Sequence, residues 1–284
     1  MNVTSVISRF VRFRLFLAFV LLSQVSFPGE PTVRIGIERN VSGFTVSSET
    51  PFEVEGASTR RAEFSTVVAL GQGEGPWSRE DLETRMLIET DGESLFIRPM
   101  TVRIRISADV APLKVNDRSY RGDLEILATA EGSLSLVNVL PIEEYLLGVV
   151  PNELGPDTFP ELEALKAQAI AARTYVVRNL GQFEEEGFDI CDTDLCQVYE
   201  GLETEHSLAT QAVRETRGQI ATYEGEPINA LYSSTCGGRT EDAENVFGER
   251  VPYLVSTICH YDHPEPQPFQ TTTFYSSWEE GLLG

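Results

Sequence analysis

Apolar and polar residues alternate along the first half of the chain. From Pro31 to about Leu140, every second position is apolar in several runs: Val33, Ile35 and Ile37; Leu95 and Ile97; Val102, Ile104 and Ile106; Leu124 and Ile126; Leu134 and Leu136. A period of two puts one set of side chains on one face of a pleated strand, so these runs predict half-buried antiparallel strands. Gly, Asn, Asp and Ser cluster between them, and Asp91-Gly92 and Asn116-Asp117 predict hairpin turns. No internal repeat stands out.

After Leu140 the period lengthens. Pro141 opens a helical segment, IEEYLLGVV, expected to end at Pro151. A second helix is expected from near Pro160, since proline lacks only an N–H that the first turn leaves unpaired; Asp157 or Thr158 would cap it. Leu162, Leu165, Ala169, Ala172 and Val176 keep helical spacing and define its buried stripe. It should stop near Gly181 or Gly187. A third helix is expected over Ser207 to Thr216, then strands at Gln219 to Tyr223 and Ile228 to Ser233 around a Glu224-Gly225 turn. The following SSTCGGRTEDAENVF reads as a polar loop. The expected fold class is α+β, a β-rich N-terminal half with a mixed helix/strand half after it. The expected regions are 31–133 (β-rich), 134–263 (mixed core) and 264–284, a Pro- and Thr-rich tail whose last residues, SSWEEGLLG, read as a truncated helix.

Residues 1–28 read as a targeting segment. Arg9, Arg12 and Arg14 precede a short apolar run, Leu15 to Leu22, too short to span a bilayer comfortably. A secretory signal peptide or signal anchor is expected, and hence an extracytoplasmic protein. The formal net charge is −22; the first 26 residues carry three arginines and no acid, so the remainder is −25. Such a charge argues against nucleic-acid binding, and against membrane contact except through the N-terminal segment. Its plain meaning is a solvated acidic surface.

An even number of cysteines in an exported chain favours disulfides. Cys191 with Cys196 and Cys236 with Cys259 is the expected pairing, because each closes a local loop. Zinc at Cys191 and Cys196 would need two further ligands from His206, His260 or Cys259, and nothing fixes their geometry.

Glu153 is the candidate acid/base. It lies between Pro151 and Pro156, read as a loop before the second helix, where a desolvated carboxyl could donate a proton near neutrality. The plainer reading is an exposed glutamate favoured by that helix's dipole. Lys166 and Arg173, seven residues apart, share a helix face and could orient an anionic ligand; otherwise they pair with nearby acids. Arg173 stands in an alanine-rich turn, where an unpaired charge would be costly. Tyr175 reads as core rather than catalytic. Ser233, Ser234, Gly237, Gly238, Arg239, Thr240 and Glu241 offer donors, acceptors and close backbone approach for a sugar, or merely a tight turn.

Taken in order, YLLGVVPNEL, EALKAQAIAARTY, CDTDLCQVYEG, ETRGQIATYEGEPINA, YSSTCGGRTEDAENVFG and VPYLVS resemble the SpoIID/LytB family, over about Leu134 to Ser256. The resemblance implies a peptidoglycan lytic transglycosylase, or the non-catalytic amidase enhancer of the LytB type. It implies Glu153 as the catalytic glutamate of the V-P-x-E block. Lys166, Arg173 and Tyr175, with Ser233 to Glu241, would be substrate-binding. The implied substrate is peptide-stripped glycan, cleaved between N-acetylmuramic acid and N-acetylglucosamine. The implied partners are peptidoglycan strands and a cell-wall amidase, with no cofactor required. Some relatives bind zinc through a histidine just before the second cysteine; Leu195 stands there in this chain. A metal-dependent hydrolase is the third reading, and three histidines give it little support.

Overall fold

The computed structural model describes residues 21–24, 30–55, 60–62, 65–70, 86–90, 93–97, 104–128, 133–233 and 238–258. The chain divides into two compact units, residues 22–234 in one and residues 1–21 with 235–284 in the other.

The first unit is α+β. Strands β1 (Leu21–Gln24), β2 (Thr32–Val41), β3 (Gly43–Ser47), β4 (Phe52–Glu55), β5 (Arg60–Ala62), β6 (Ser65–Leu70), β7 (Met86–Thr90), β8 (Glu93–Ile97), β9 (Ile104–Ser107), β10 (Leu113–Val115), β11 (Arg118–Tyr120), β12 (Asp123–Ala128) and β13 (Leu134–Pro141) come first. Helices α1 (Ile142–Glu153) and α2 (Leu162–Asn179), strand β14 (Ile190–Cys191), helix α3 (Ser207–Glu215) and strands β15 (Gln219–Tyr223) and β16 (Glu226–Pro227) follow. Among the described residues one sheet runs β14-β2-β13-β12-β9-β4-β5, a second β11-β10-β3-β6-β7-β8, and a small third β1-β15-β16. Strand β14 joins β2 in parallel, with Ile190 beside Ile35 and Cys191 beside Gly36.

The alternation in β2 is realised, with Val33, Ile35 and Ile37 buried. In β12, Leu124 and Ile126 are buried likewise. The hairpin at Asn116 forms in the left-handed conformation, φ 52°, joining Val115 to Arg118. Strands β7 and β8 pair across residues 91–92, which lie outside the described residues, as does Val102.

Strand β13 departs from the expectation. Leu134, Ser135, Leu136, Val137 and Asn138 are all buried. It lies inside the sheet, with the main core on one face and a small cluster of Val137, Phe188 and Cys191 on the other. Asn138 survives there because every polar atom is matched. Its amide donates to the carbonyls of Arg121 (2.8 Å) and Asp123 (3.0 Å), and its Oδ1 accepts from the Tyr199 hydroxyl (2.9 Å).

The helices depart too. Helix α1 does not stop at Pro151 but continues to Glu153, and Leu154 still donates to the Val150 carbonyl. Proline removes only the bond to the carbonyl four residues back, and Asn152 adds a side-chain bond to the Gly148 carbonyl (2.7 Å). Leu146, Val149 and Val150 are fully buried on this helix, each contributing roughly 1.5–3 kcal/mol. Gly148 is required for close approach, since an added Cβ would meet the Gly201 carbonyl oxygen and the Tyr199 ring at 2.8 Å. Helix α2 begins at Leu162 with Glu161 as its cap residue, not Asp157 or Thr158, and no side chain bonds its first turn. It ends at Asn179, two residues before Gly181 (φ 80°). Helix α3 forms where expected, capped by His206, whose Nδ1 accepts from Leu208 N (3.2 Å). The Glu224-Gly225 turn forms with both residues at positive φ, but pairing after it stops at Pro227, so Ile228 to Ser233 is not a strand.

In the second unit the described segment 238–258 is not all loop. A short helix, α4 (Ala243–Phe247), ends at Gly248 (φ 76°). Arg239 bridges to Ile258, and Thr240 exchanges bonds with Thr257: its amide donates to that carbonyl (2.9 Å) and its hydroxyl accepts from that amide (2.8 Å).

Candidate active site

Glu153 is the last residue of α1. The helix dipole it meets is therefore the negative C-terminal end, the reverse of the favourable N-terminus expected from the sequence. The carboxylate is held all the same. Its Oε1 accepts from the backbone N–H of Val198 at 2.7 Å. The Tyr232 hydroxyl bonds the same carboxyl. Burial raises the Glu153 pKa above the ordinary carboxylate range and outweighs these two bonds, which favour the charged form; the nearby charge of Asp194 pushes the same way as burial.

Behind Glu153 a chain of hydrogen bonds runs in one direction. Tyr145, fully buried on α1, donates to Gln197 Oε1 (3.3 Å). Gln197, also fully buried, donates through Nε2 to the Tyr232 hydroxyl (2.9 Å) and to the Ala172 carbonyl (3.3 Å). The Tyr232 oxygen thus accepts from Gln197 and turns its single proton toward Glu153. Burial raises the hydroxyl pKa of both Tyr145 and Tyr232, with the Glu153 charge adding to the second, so both remain donors at neutral pH.

Segment 197–199, which supplies Gln197 and Val198, leaves a loop closed by the Cys191–Cys196 disulfide, the pairing expected from the sequence. The sulfurs are bonded to each other and Leu195 follows Asp194 at the exposed tip, so this donor set does not fit zinc. Among the described residues no group of three or more His, Cys, Asp or Glu is placed to hold a metal ion. Within the loop Asp192 is half-buried, and its carboxyl is raised to about 6, chiefly by burial. Cys236 and Cys259 lie outside the described residues.

The two expected cations are elsewhere. Arg173 is 2% exposed, and all five of its N–H groups are engaged within the fold. Nε and Nη2 grip Glu143 Oε1 and Oε2 (2.8 and 2.7 Å), Nη1 donates to the carbonyls of Ala169 and Gln219, and Nη2 also to that of Val213. Arg173 thus ties α1, α2, α3 and β15 together through its bonds within the fold. Lys166 pairs with Glu163 and with Glu215 of α3, each at 2.7 Å. Both cations lie on the α2 side that meets α3. Tyr175 lies about half a turn around the same helix, at about 100° per residue. It is half-buried and lies near Tyr232, the residue whose hydroxyl bonds Glu153.

Ser233 is exposed and directly follows Tyr232; Ser234 and Gly237 lie outside the described residues. Gly238, Arg239, Thr240 and Glu241 belong to the second unit. There Arg239 Nε donates to Ser256 Oγ (2.5 Å), and Glu241 Oε1 accepts from Asn245 (2.7 Å) and from Asp242 N (2.9 Å).

The family model for SpoIID, Stage II sporulation protein, matches residues 130–223. The chain carries a SpoIID domain. That domain takes in β13, α1, α2, the disulfide loop, α3 and β15, and with them Tyr145, Glu153, Tyr175, Gln197 and Val198; Tyr232 lies beyond the matched stretch. Stage II sporulation protein D of Bacillus subtilis is 39% identical over 163 residues, 52% of this chain and 47% of that protein. An uncharacterised protein of Brachyspira hyodysenteriae is 40% identical over 169 residues, 59% of this chain and 45% of that protein. The amidase enhancer of Bacillus subtilis is 41% identical over 128 residues, 45% of this chain and 16% of that protein. The chain thus spans less than half the length of these curated relatives.

Sequence reasoning missed Tyr145, Gln197, Val198 and Tyr232 as supports of Glu153. Gln197 and Val198 sit inside CDTDLCQVYEG, and Tyr232 opens YSSTCGGRTE. The available signal was a buried-type polar residue directly after a disulfide cysteine.

Proposed function

We propose that this SpoIID domain acts on the bacterial cell wall as a lytic transglycosylase with Glu153 as its one acid/base. The observation that carries the reading is Glu153 itself: a half-buried carboxyl with a raised pKa, pinned by one backbone N–H and one tyrosine hydroxyl. Burial favours the protonated carboxyl that can donate, and the two donors stabilise the carboxylate left after proton transfer. Glu153 protonates the glycosidic oxygen between N-acetylmuramic acid and N-acetylglucosamine, and that bond breaks. The carboxylate then takes the proton from the muramic C6 hydroxyl as its oxygen bonds C1. The product is a 1,6-anhydromuramic end, with no water consumed, so the second carboxylate that ordinary glycosidases use to activate water or attack C1 is not needed. Exposed Ser233 and half-buried Tyr175 are proposed to face the glycan. No cofactor enters the reaction. An extracytoplasmic location, through the N-terminal segment, belongs to the same proposal; among the described residues no helix is long and apolar enough to cross a membrane.

A second reading rests on the similarity to the amidase enhancer: the domain binds cell wall and stimulates an amidase without cutting glycan. Peptide-stripped glycan strands incubated with the protein and with Glu153→Gln, then analysed by mass spectrometry, separate the two. Anhydromuramic ends from the parent alone are expected. A folded parent that makes none, yet accelerates a cell-wall amidase equally well as Glu153→Gln, would leave the second reading in its place.

A further inference from the structure

The Cys191–Cys196 disulfide occupies a position that neither the family match nor the proposed chemistry explains. Cys191 ends β14, paired to the buried strand β2, and is itself 1% exposed. Cys196 is the more exposed partner and directly precedes Gln197 and Val198. Those two residues make the contacts that set the site: Val198 N on Glu153 and Gln197 Nε2 on Tyr232. Inside the loop Cys196 N donates to the Thr193 carbonyl (2.9 Å) and Cys191 N to Cys196 Sγ (3.2 Å). On the far side Tyr199 N donates to the Asp192 carbonyl (3.0 Å), and the Tyr199 ring packs against Tyr145 with centroids 4.9 Å apart. The segment that grips Glu153 is thus held at one end by a covalent bond to the sheet and at the other by packing.

We propose that this disulfide is the positioning clamp for Glu153 and makes the activity dependent on an oxidising environment. It rests on the reading of Glu153 as the acid/base. Reduction by a dithiol begins at the more exposed sulfur, that of Cys196, and releases Cys191. Two electrons and two protons pass to the protein, leaving two thiols, and the dithiol closes to its own disulfide. With the bond gone, residues 193–198 lose their covalent tie to β14 and keep only non-covalent contacts, the hydrogen bonds of the loop and of Gln197 among them. The Val198 N–H then no longer holds Glu153 Oε1, and a carboxyl displaced by an ångström from the scissile oxygen loses much of its rate.

Amide hydrogen exchange and glycan cleavage are measured on three samples: the oxidised protein, the protein reduced with dithiothreitol, and Cys191→Ala/Cys196→Ala. Val198 exchange is expected to quicken by at least about tenfold in the last two, with β13 and α1 amides unchanged and cleavage falling by a similar factor or more. Unchanged Val198 exchange, or unchanged cleavage beside faster Val198 exchange, overturns the proposal. Loss of protection throughout β13 and α1 also overturns it, because the bond would then staple the whole unit. Faster Val198 exchange with no cleavage in any sample keeps the clamp and removes the transglycosylase reading beneath it.

Discussion

Arg173→Met tests whether the buried cation belongs to the fold or to the substrate. The substitution removes both bonds to Glu143 and the donors to the carbonyls of Ala169, Val213 and Gln219. Glu143 would retain the Gly218 N–H (3.0 Å) but no cation, with its side chain 13% exposed. Breaking a buried pair from one side costs about 3–5 kcal/mol, because the charge left behind is desolvated without compensation. Against a total stability of about 5–15 kcal/mol that is about a fifth of the whole or more. Urea unfolding followed by circular dichroism should show the midpoint falling with little change in slope. The double variant Arg173→Met/Glu143→Leu should regain much of the loss, since a packed apolar pair can replace a buried ion pair. The folded fraction of Arg173→Met should still cut glycan at near-parent kcat. A loss below about 1 kcal/mol, typical of an exposed pair, together with a large fall in activity, would refute the structural assignment and return Arg173 to the substrate.

Tyr232→Phe deletes a bond that favours ionised Glu153, so the Glu153 titration midpoint, followed by carbon-13 NMR against Glu153→Gln as the assignment control, should move further upward. A downward move would show that Tyr232 does not donate to the carboxyl. Asp192→Asn addresses a second raised carboxyl. The folded pKa of Asp192, about 6, lies above the ordinary 3.8, so its ionised form costs stability in full above about 6 and not at all below about 3.8. The variant should therefore melt higher than the parent at pH 7, with the difference closing as pH falls through that window. A gain that persisted at pH 3 would mean the effect is not ionisation.

The sequence by itself determined the local elements. Period-two runs located β2 and β12, Asn116 and Glu224-Gly225 marked real turns, and helical spacing from Leu162 to Val176 located α2. These features depend on neighbours in the chain, on backbone sterics and on which face is apolar, so they are legible locally. The V-P-x-E glutamate was legible in the same way, as part of a recognisable block. Tertiary structure decided the rest. Strand β13 lost its alternation because both of its faces are covered, and α1 ran through Pro151 because packing of Leu146, Val149 and Val150 outweighs one missing hydrogen bond. The spacing of Lys166 and Arg173 correctly placed them on one side of α2, but nothing local says that this side meets α3 while Tyr175 lies near Tyr232. Nor could spacing reveal that Gln197, Val198 and Tyr232, distant in sequence from Glu153, converge on it. Which polar groups meet, and how far a carboxyl is removed from water, depend on long-range packing, and these fix the chemistry of the site.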